Sequence, residues 1–178
     1  MSFLDLARAR QSDRGYADRL VPREAVERCL DAARLAPSAC NSQPWYFIVV
    51  DEPAARRRLA RRAFSGVYSM NSFARDAPVL VVVVRERSKY VARLGGQFRG
   101  VQYSLIDLGV ACEHLVLQAT EEGLGSCWLG WFDERAVKRE LGLPRTAKVD
   151  VMISLGWRAQ DIRRDKKRKP ADEIRRYV

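Results

Sequence analysis

Histidine is nearly missing from this 178-residue chain: His114 is the only one. A metal centre built from clustered imidazoles is therefore excluded, and no metal site is expected. The four cysteines, Cys29, Cys40, Cys112 and Cys127, form no C-x-x-C pair. Neither a zinc ribbon nor a disulfide framework is indicated, so the thiols are expected to be reduced and buried. Long apolar runs are also lacking. The longest, residues 79–84, falls far short of the roughly 20 residues that cross a bilayer. The start Met1-Ser2-Phe3-Leu4-Asp5 has no basic region leading into an apolar stretch. No targeting segment and no membrane partner are expected, and the location is read as cytoplasmic.

Phosphate-binding fingerprints are absent too. There is no G-x-x-x-x-G-K-[ST] loop, and Gly123-Leu124-Gly125 follows a helical pattern instead of ending a strand, so it reads as a helix stop. Acid–base and nucleophilic machinery is equally scarce. His114 lies within a nearly all-apolar helix and is expected to be a hydrogen-bonded core residue. Asp107 and Glu113 stand six residues apart, off one helical face, and Glu121-Glu122 read as solvated charges. With no nucleophile, metal or dinucleotide turn of its own, an enzyme of this composition must borrow its chemistry from a cofactor, so no catalytic side chain is expected.

What is present is an ordinary globular composition, 47% hydrophobic and 30% charged, enough for one domain over residues 1–178 that buries roughly 70% of its unfolded surface. The formal charge of +10 raises the question of polyanionic partners. Arginine is nevertheless spread along the chain, as in Arg56-Arg57-Arg58 and Arg61-Arg62, which is the pattern of solvated faces. No nucleic acid partner is expected.

Periodicity places a helix after Pro22, with Val26, Cys29, Leu30 and Ala33 on one face, ending before Pro37. Residues 46–50 read as a strand, Pro53 opens a basic helix, residues 65–77 look irregular, and residues 79–84 read as a buried central strand. From Tyr103 to Glu122 apolar residues surround almost the whole cylinder, so this helix needs cover on nearly all sides, from its own chain or a second one. Gly123 and Gly125 are expected to end it. Residues 126–131 form the next strand, Asp133 caps a short helix, and Val149, Val151, Ile153 and Leu155 alternate along a last strand. This alternation of strands and helices suggests parallel β-α units. The tail Arg163-Arg164-Asp165-Lys166-Lys167-Arg168-Lys169-Pro170 has no apolar period and must lie on a surface, making residues 163–178 a basic C-terminal arm.

Three segments suit a cofactor. Arg10-Gln11-Ser12-Asp13-Arg14 sets two guanidinium forks and a hydroxyl near a helix end, matching a phosphate monoester or, equally, a surface charge cluster. Pro37-Ser38-Ala39-Cys40-Asn41-Ser42-Gln43-Pro44-Trp45 is a polar loop fixed by prolines, able to read a heterocycle edge or simply to turn. The basic tail near Arg168 can add charge to a phosphate.

In this order, the segments resemble the FMN-dependent nitroreductase family, from about Leu6 to Pro170. Ala36-Pro37-Ser38-Ala39-Cys40-Asn41-Ser42-Gln43-Pro44-Trp45 is similar to the family's A-P-S-x-x-N-x-Q-P-W segment, and Arg10 to Arg14 to its R-x-S-x-R element. Asp107-Leu108-Gly109, Leu117-Gln118-Ala119 and residues 123–130 are like the central dimer helix and the strand behind the flavin. Ser154-Leu155-Gly156-Trp157 and the tail resemble the last strand and the returning arm. The resemblance implies an α+β, three-layer α/β/α fold with a mostly antiparallel sheet and a long helix at a homodimer interface. It implies FMN as cofactor, NADH or NADPH as donor, and a small-molecule acceptor such as a nitroaromatic, quinone, enone or flavin.

By that resemblance Arg10, Gln11, Ser12 and Arg14 serve the phosphate and ribityl end, with Lys166 and Arg168 as helpers. Pro37, Ser38, Ala39 and Asn41 approach the flavin from the other subunit. Asn71 meets the pyrimidine edge, and the Leu129-Gly130 backbone passes the middle ring. Three features depart from the family pattern: a short polar stretch at residues 85–100, His114 where an amide is common, and Asp13 inside the phosphate element. A non-enzymatic flavin-binding or redox-sensing module is the alternative reading, and a basic nucleic-acid-binding protein a more distant one.

Overall fold

The computed structural model describes residues 2–86 and 100–178. The 85–100 stretch therefore lies largely outside the described residues. Strands β1 (Trp45–Val50), β2 (Val79–Arg85), β3 (Leu124–Leu129) and β4 (Lys148–Trp157) form one sheet in the order β1-β2-β4-β3, with every ladder antiparallel. The parallel β-α units suggested by periodicity are thus corrected. The reason lies in burial. Residues 79–84 of β2 are buried on both sides, a signature usual for parallel strands, but here helices cover both faces of an antiparallel sheet.

On one face, α2 (Arg23–Arg34) and α4 (Tyr103–Glu121) pack on Val79, Val81, Val83, Val151, Ile153 and Leu155. On the other, α3 (Pro53–Ala63) and α5 (Glu134–Glu140) pack with Leu80, Val82, Met152, Cys127 and Leu129. The period of two along each strand sends alternate side chains to the two cores. A bulge between Val83 and Val84 resets the β2–β4 register at Asp150. The three layers are as the family resemblance implies.

Local chemistry explains the element ends. Ser2 caps α1 (Phe3–Ala9) through Asp5 N–H. Pro53 opens α3, with the Glu52 carboxylate accepting from Ala54 and Ala55 N–H, and Asp133 accepts from Ala136 N–H at the start of α5. Gly123 ends α4 in the left-handed region at φ 77°, where a side chain would be strained. Gly125, expected to share that task, instead sits inside β3. Residues 65–77, expected to be irregular, contain a 3-10 stretch, Gly66–Arg75.

Three of the thiols are buried as expected, whereas Cys40 is exposed. Burial pushes the Cys29 and Cys112 thiols up to about 12, which removes them from nucleophilic chemistry at neutral pH. Much of the apolar surface of α4 is covered by its own chain: Leu108, Ala111, Cys112, Leu115, Val116 and Ala119 are buried. Leu105 and Ile106 remain 41% and 55% exposed.

Candidate functional site

After α1 the chain runs extended along the open edge of β3. Ser12 bridges Ser126 in parallel fashion, and Asp13 N–H donates to Ser126 O at 2.9 Å. Extended backbone sends neighbouring side chains to opposite sides. Asp13 is accordingly buried, at 5% exposure, while Arg14 stays exposed. The negative charge that looked out of place in a phosphate element is spent internally. Asp13 accepts from Gln11 Nε2 at 2.8 Å and from Arg158 Nε at 3.2 Å.

The C-terminal arm returns to the same place. Gln11 Nε2 donates to Ile162 O, Arg164 N–H donates to Gln11 Oε1, and Lys166 Nζ donates to Ala7 O. Partial burial lowers the Lys166 pKa, and the positive charges of Arg10 and Arg168 lower it further, with Glu113 acting in the opposite sense. Arg10 Nε lies 3.7 Å from Glu113 Oε1. Arg10 and Arg168 are thus close enough to act on the Lys166 charge, with the Glu113 carboxylate acting against them, an excess of positive charge that an anion would relieve.

From this cluster the surface continues toward the end of β3. Burial raises the pKa of the Cys127 thiol on β3, while the Arg14 charge and the Ser12 hydroxyl oppose that rise. The Arg14 guanidinium lies 6.0 Å from the centre of the Phe73 ring. Nearby, Asn71 Nδ2 donates to Trp131 O at 2.8 Å, and Trp131 Nε1 donates to Val67 O at 2.9 Å. Leu129 is buried, whereas Gly130 is exposed with open space where a Cβ would stand. The array is cationic at one end and has bare backbone beside an amide at the other.

The proline-flanked loop is tied to α4. Cys40, Asn41 and Gln43 all have left-handed backbones, at φ 53°, 49° and 46°, a conformation that costs a non-glycine residue about 1–2 kcal/mol. Hydrogen bonds hold it: Gln43 N–H to Ser38 Oγ, Ser42 Oγ to Ala39 O, and Ala39 N–H to Asp107 Oδ1. Among the described residues, no hydrogen bond or ion pair joins Pro37, Ser38, Ala39 or Asn41 to Arg10, Ser12 or Arg14. The structure thus brings together Arg10, Ser12, Arg14, Lys166 and Arg168, continues through Asn71 to Gly130, and leaves the loop anchored to α4. Gln11 uses both ends of its amide within the chain.

A family model for the nitroreductase family matches residues 7–157. The chain belongs to the nitroreductase family. A relative from Archaeoglobus fulgidus, bearing an NADH dehydrogenase/NAD(P)H nitroreductase name, is 34% identical over 158 residues, 86% of this chain and 84% of the relative. Among solved structures, a nitroreductase family protein of Clostridium difficile 630 superposes with a TM-score of 0.79 at 31% identity, covering 99% of this chain and 98% of the other. A protein of Clostridium difficile R20291 described as an FMN-dependent nitroreductase superposes with a TM-score of 0.70 at 26% identity, covering 97% and 94%.

Family membership makes this nitroreductase an oxidoreductase. Its His114 contributes a ring nitrogen 3.2 Å from Ala32 O, at the packing of α4 on α2. Among the described residues no helix is long and apolar enough to cross a membrane, and no group of three or more potential ligands could hold a metal. Sequence reasoning missed Asp13, Asp107, Glu113 and Arg158 as parts of the site. The available signal was a carboxylate among the apolar residues of the first turns of α4: Asp107 is 5% exposed, and such a group is retained only with a partner.

Proposed function

We propose that this nitroreductase binds FMN and passes electrons from NADH or NADPH to a small organic acceptor, as one domain over residues 1–178 with residues 163–178 as a basic arm. The observation that carries the reading is the convergence of Arg10, Lys166 and Arg168 from opposite ends of the chain. The donor set fits a phosphate monoester: guanidinium forks, an ammonium whose charge is disfavoured until an anion arrives, and the Ser12 hydroxyl. The surface running from that cluster past Phe73 to Gly130 fits an elongated ligand with a planar far end. The superposition on a protein described as FMN-dependent supports the same reading.

Bound FMN supplies reversible two-electron transfer between a nicotinamide and an acceptor taken up in turn. The residues of this chain bind and orient. Arg10, Ser12, Lys166 and Arg168 hold the phosphate, and Arg14 serves its ribityl side. Asn71, its amide nitrogen committed to Trp131, offers its carbonyl oxygen to a donor on the ring edge. Gly130, bare of a side chain, lets main-chain N–H groups approach the ring, where fixed dipoles stabilise negative charge on reduction. No side chain is required as an acid or base.

The loop carrying Pro37, Ser38, Ala39 and Asn41, tied to α4 within its own copy, completes the site from a second copy of the chain. The exposed Leu105 and Ile106 of α4 are covered in that homodimer. The acceptor class spans nitroaromatics, quinones, enones and flavins. The test is the visible spectrum of the purified protein with its released cofactor identified, followed by anaerobic mixing with NADH and NADPH. Flavin absorbance that bleaches on mixing is expected. A colourless protein that takes up no added FMN would overturn the reading, and bound flavin that neither nicotinamide bleaches would indicate a binding module.

A further inference from the structure

Lys166 and Arg168 sit in an arm without helix or strand from residue 161 to 170, and like charge repels it from Arg10. Something must hold that arm in place before any anion binds. The Gln11 side chain does what a neighbouring strand would do. Its Nε2 donates to Ile162 O at 2.8 Å and its Oε1 accepts from Arg164 N–H at 3.1 Å, so one amide satisfies two main-chain groups that flank Arg163. The second hydrogen on Nε2 goes to Asp13 Oδ1 at 2.8 Å, which fixes the amide against rotation.

Asp13 is fixed in its turn. Its Oδ2 accepts from Arg158 Nε at 3.2 Å, and Arg158, directly after β4, also donates to O of Leu124, the first residue of β3. The pair fits there because residue 125 is glycine: a Cβ would stand 2.9 Å from both Arg158 Cγ and Asp13 Oδ2. A rigid sheet edge is thereby linked through Asp13 and Gln11 to the arm, and through the arm to the cations beside Arg10.

We propose that Gln11, backed by Asp13, is a positioning residue that clasps the C-terminal arm and so presents Lys166 and Arg168 to a phosphate monoester beside Arg10, setting the preference for phosphorylated over unphosphorylated flavin. Its phosphate half rests on the FMN reading above. Gln11 acts through the arm and does not touch the anion. Asp13, an acidic residue within a phosphate-binding element, supports anion binding by anchoring the clasp while its own charge is paired with Arg158.

The experiment compares wild type, Gln11→Ala, the similarly shaped Gln11→Met and Asp13→Asn in two measurements. One is amide hydrogen exchange over residues 162–168 without cofactor, and the other is fluorescence quenching with FMN and with riboflavin. Loss of the two arm hydrogen bonds should speed exchange at Arg164 and weaken FMN roughly tenfold, with riboflavin changed less than about twofold. Asp13→Asn should fall between these variants and wild type. Unchanged exchange in a folded Gln11→Met protein, or equal losses for both flavins, would overturn the proposal. A wild-type protein that binds neither flavin would sink the FMN reading instead, and exchange at Arg164 would still decide whether the arm is clasped.

Discussion

The main-chain N–H of Ala39 donates to Asp107 Oδ1 at 3.0 Å, tying a strained loop to α4 across 68 positions of sequence. The other carboxylate oxygen, Oδ2, is buried without a hydrogen-bond partner among the described residues. Asp107→Ala should therefore free the loop while α4 stays folded. Hydrogen exchange at Ala39 and Asn41 should accelerate, and unfolding free energy should fall by about 1–2 kcal/mol, the net value of one hydrogen bond to a charged group less the relief of its unpaired oxygen. Asp107→Asn, which keeps the acceptor, should do less. Unchanged exchange would mean that the loop's own hydrogen bonds suffice.

Phosphate recognition is separable from ring recognition. Arg10→Ala, Ser12→Ala and Lys166→Ala should each weaken FMN by about 1–3 kcal/mol, because a charge-assisted contact exists only with the phosphorylated ligand. Riboflavin affinity should barely move. Parallel quenching titrations check this, and equal losses would remove the residue from the phosphate site.

Lys166 also predicts a pH dependence. Its pKa is lowered by burial and by Arg10 and Arg168, so it loses its proton at a lower pH than an ordinary lysine. Only the ammonium pairs with phosphate. FMN affinity should be fully present below that lowered pKa and fall as pH rises through it. The bound anion raises the pKa, so binding takes up protons between the free and bound values. Calorimetry in two buffers of different ionisation heat measures the uptake. Lys166→Arg should abolish both the uptake and the alkaline loss.

Dimerisation is best probed away from the core. Leu115 belongs to the apolar pattern of α4, but it is fully buried within its own chain, and a charge there would unfold the protein. Ile106→Arg places the charge on the exposed part instead. It should yield a folded monomer with reduced FMN affinity, because half of each proposed site departs with the partner. Sedimentation followed at protein and flavin wavelengths checks this. A monomer retaining stoichiometric FMN would defeat the shared site.

Much of the layout was legible in the sequence because caps, prolines and apolar periods act locally. Pro53 and Asp133 start their helices, and Gly123 stops α4, where their chemistry says they should. Strand direction was not legible from periodicity, since β2 is buried on both faces in either arrangement. The site divides in the same way. Arg10, Ser12 and Arg14 announce an anion by composition, whereas the partnership of Asp13 with Arg158, 145 residues on, is a tertiary fact. The local sequence of Asp13 marks it as a flaw, and only the turn of extended backbone that buries it makes it a support.

The order β1-β2-β4-β3 has a consequence for how the protein comes to be folded. β4 follows the other three strands in sequence yet lies between β2 and β3, so neither of its neighbours has its full set of ladder bonds until residues 148–157 have left the ribosome. Until then β2, an almost unbroken valine strand, presents one open edge. Nascent chains stalled before residue 148 should be retained by chaperones or aggregate, and folding should be governed by the slow closure of long-range pairs, not by the helices that form first.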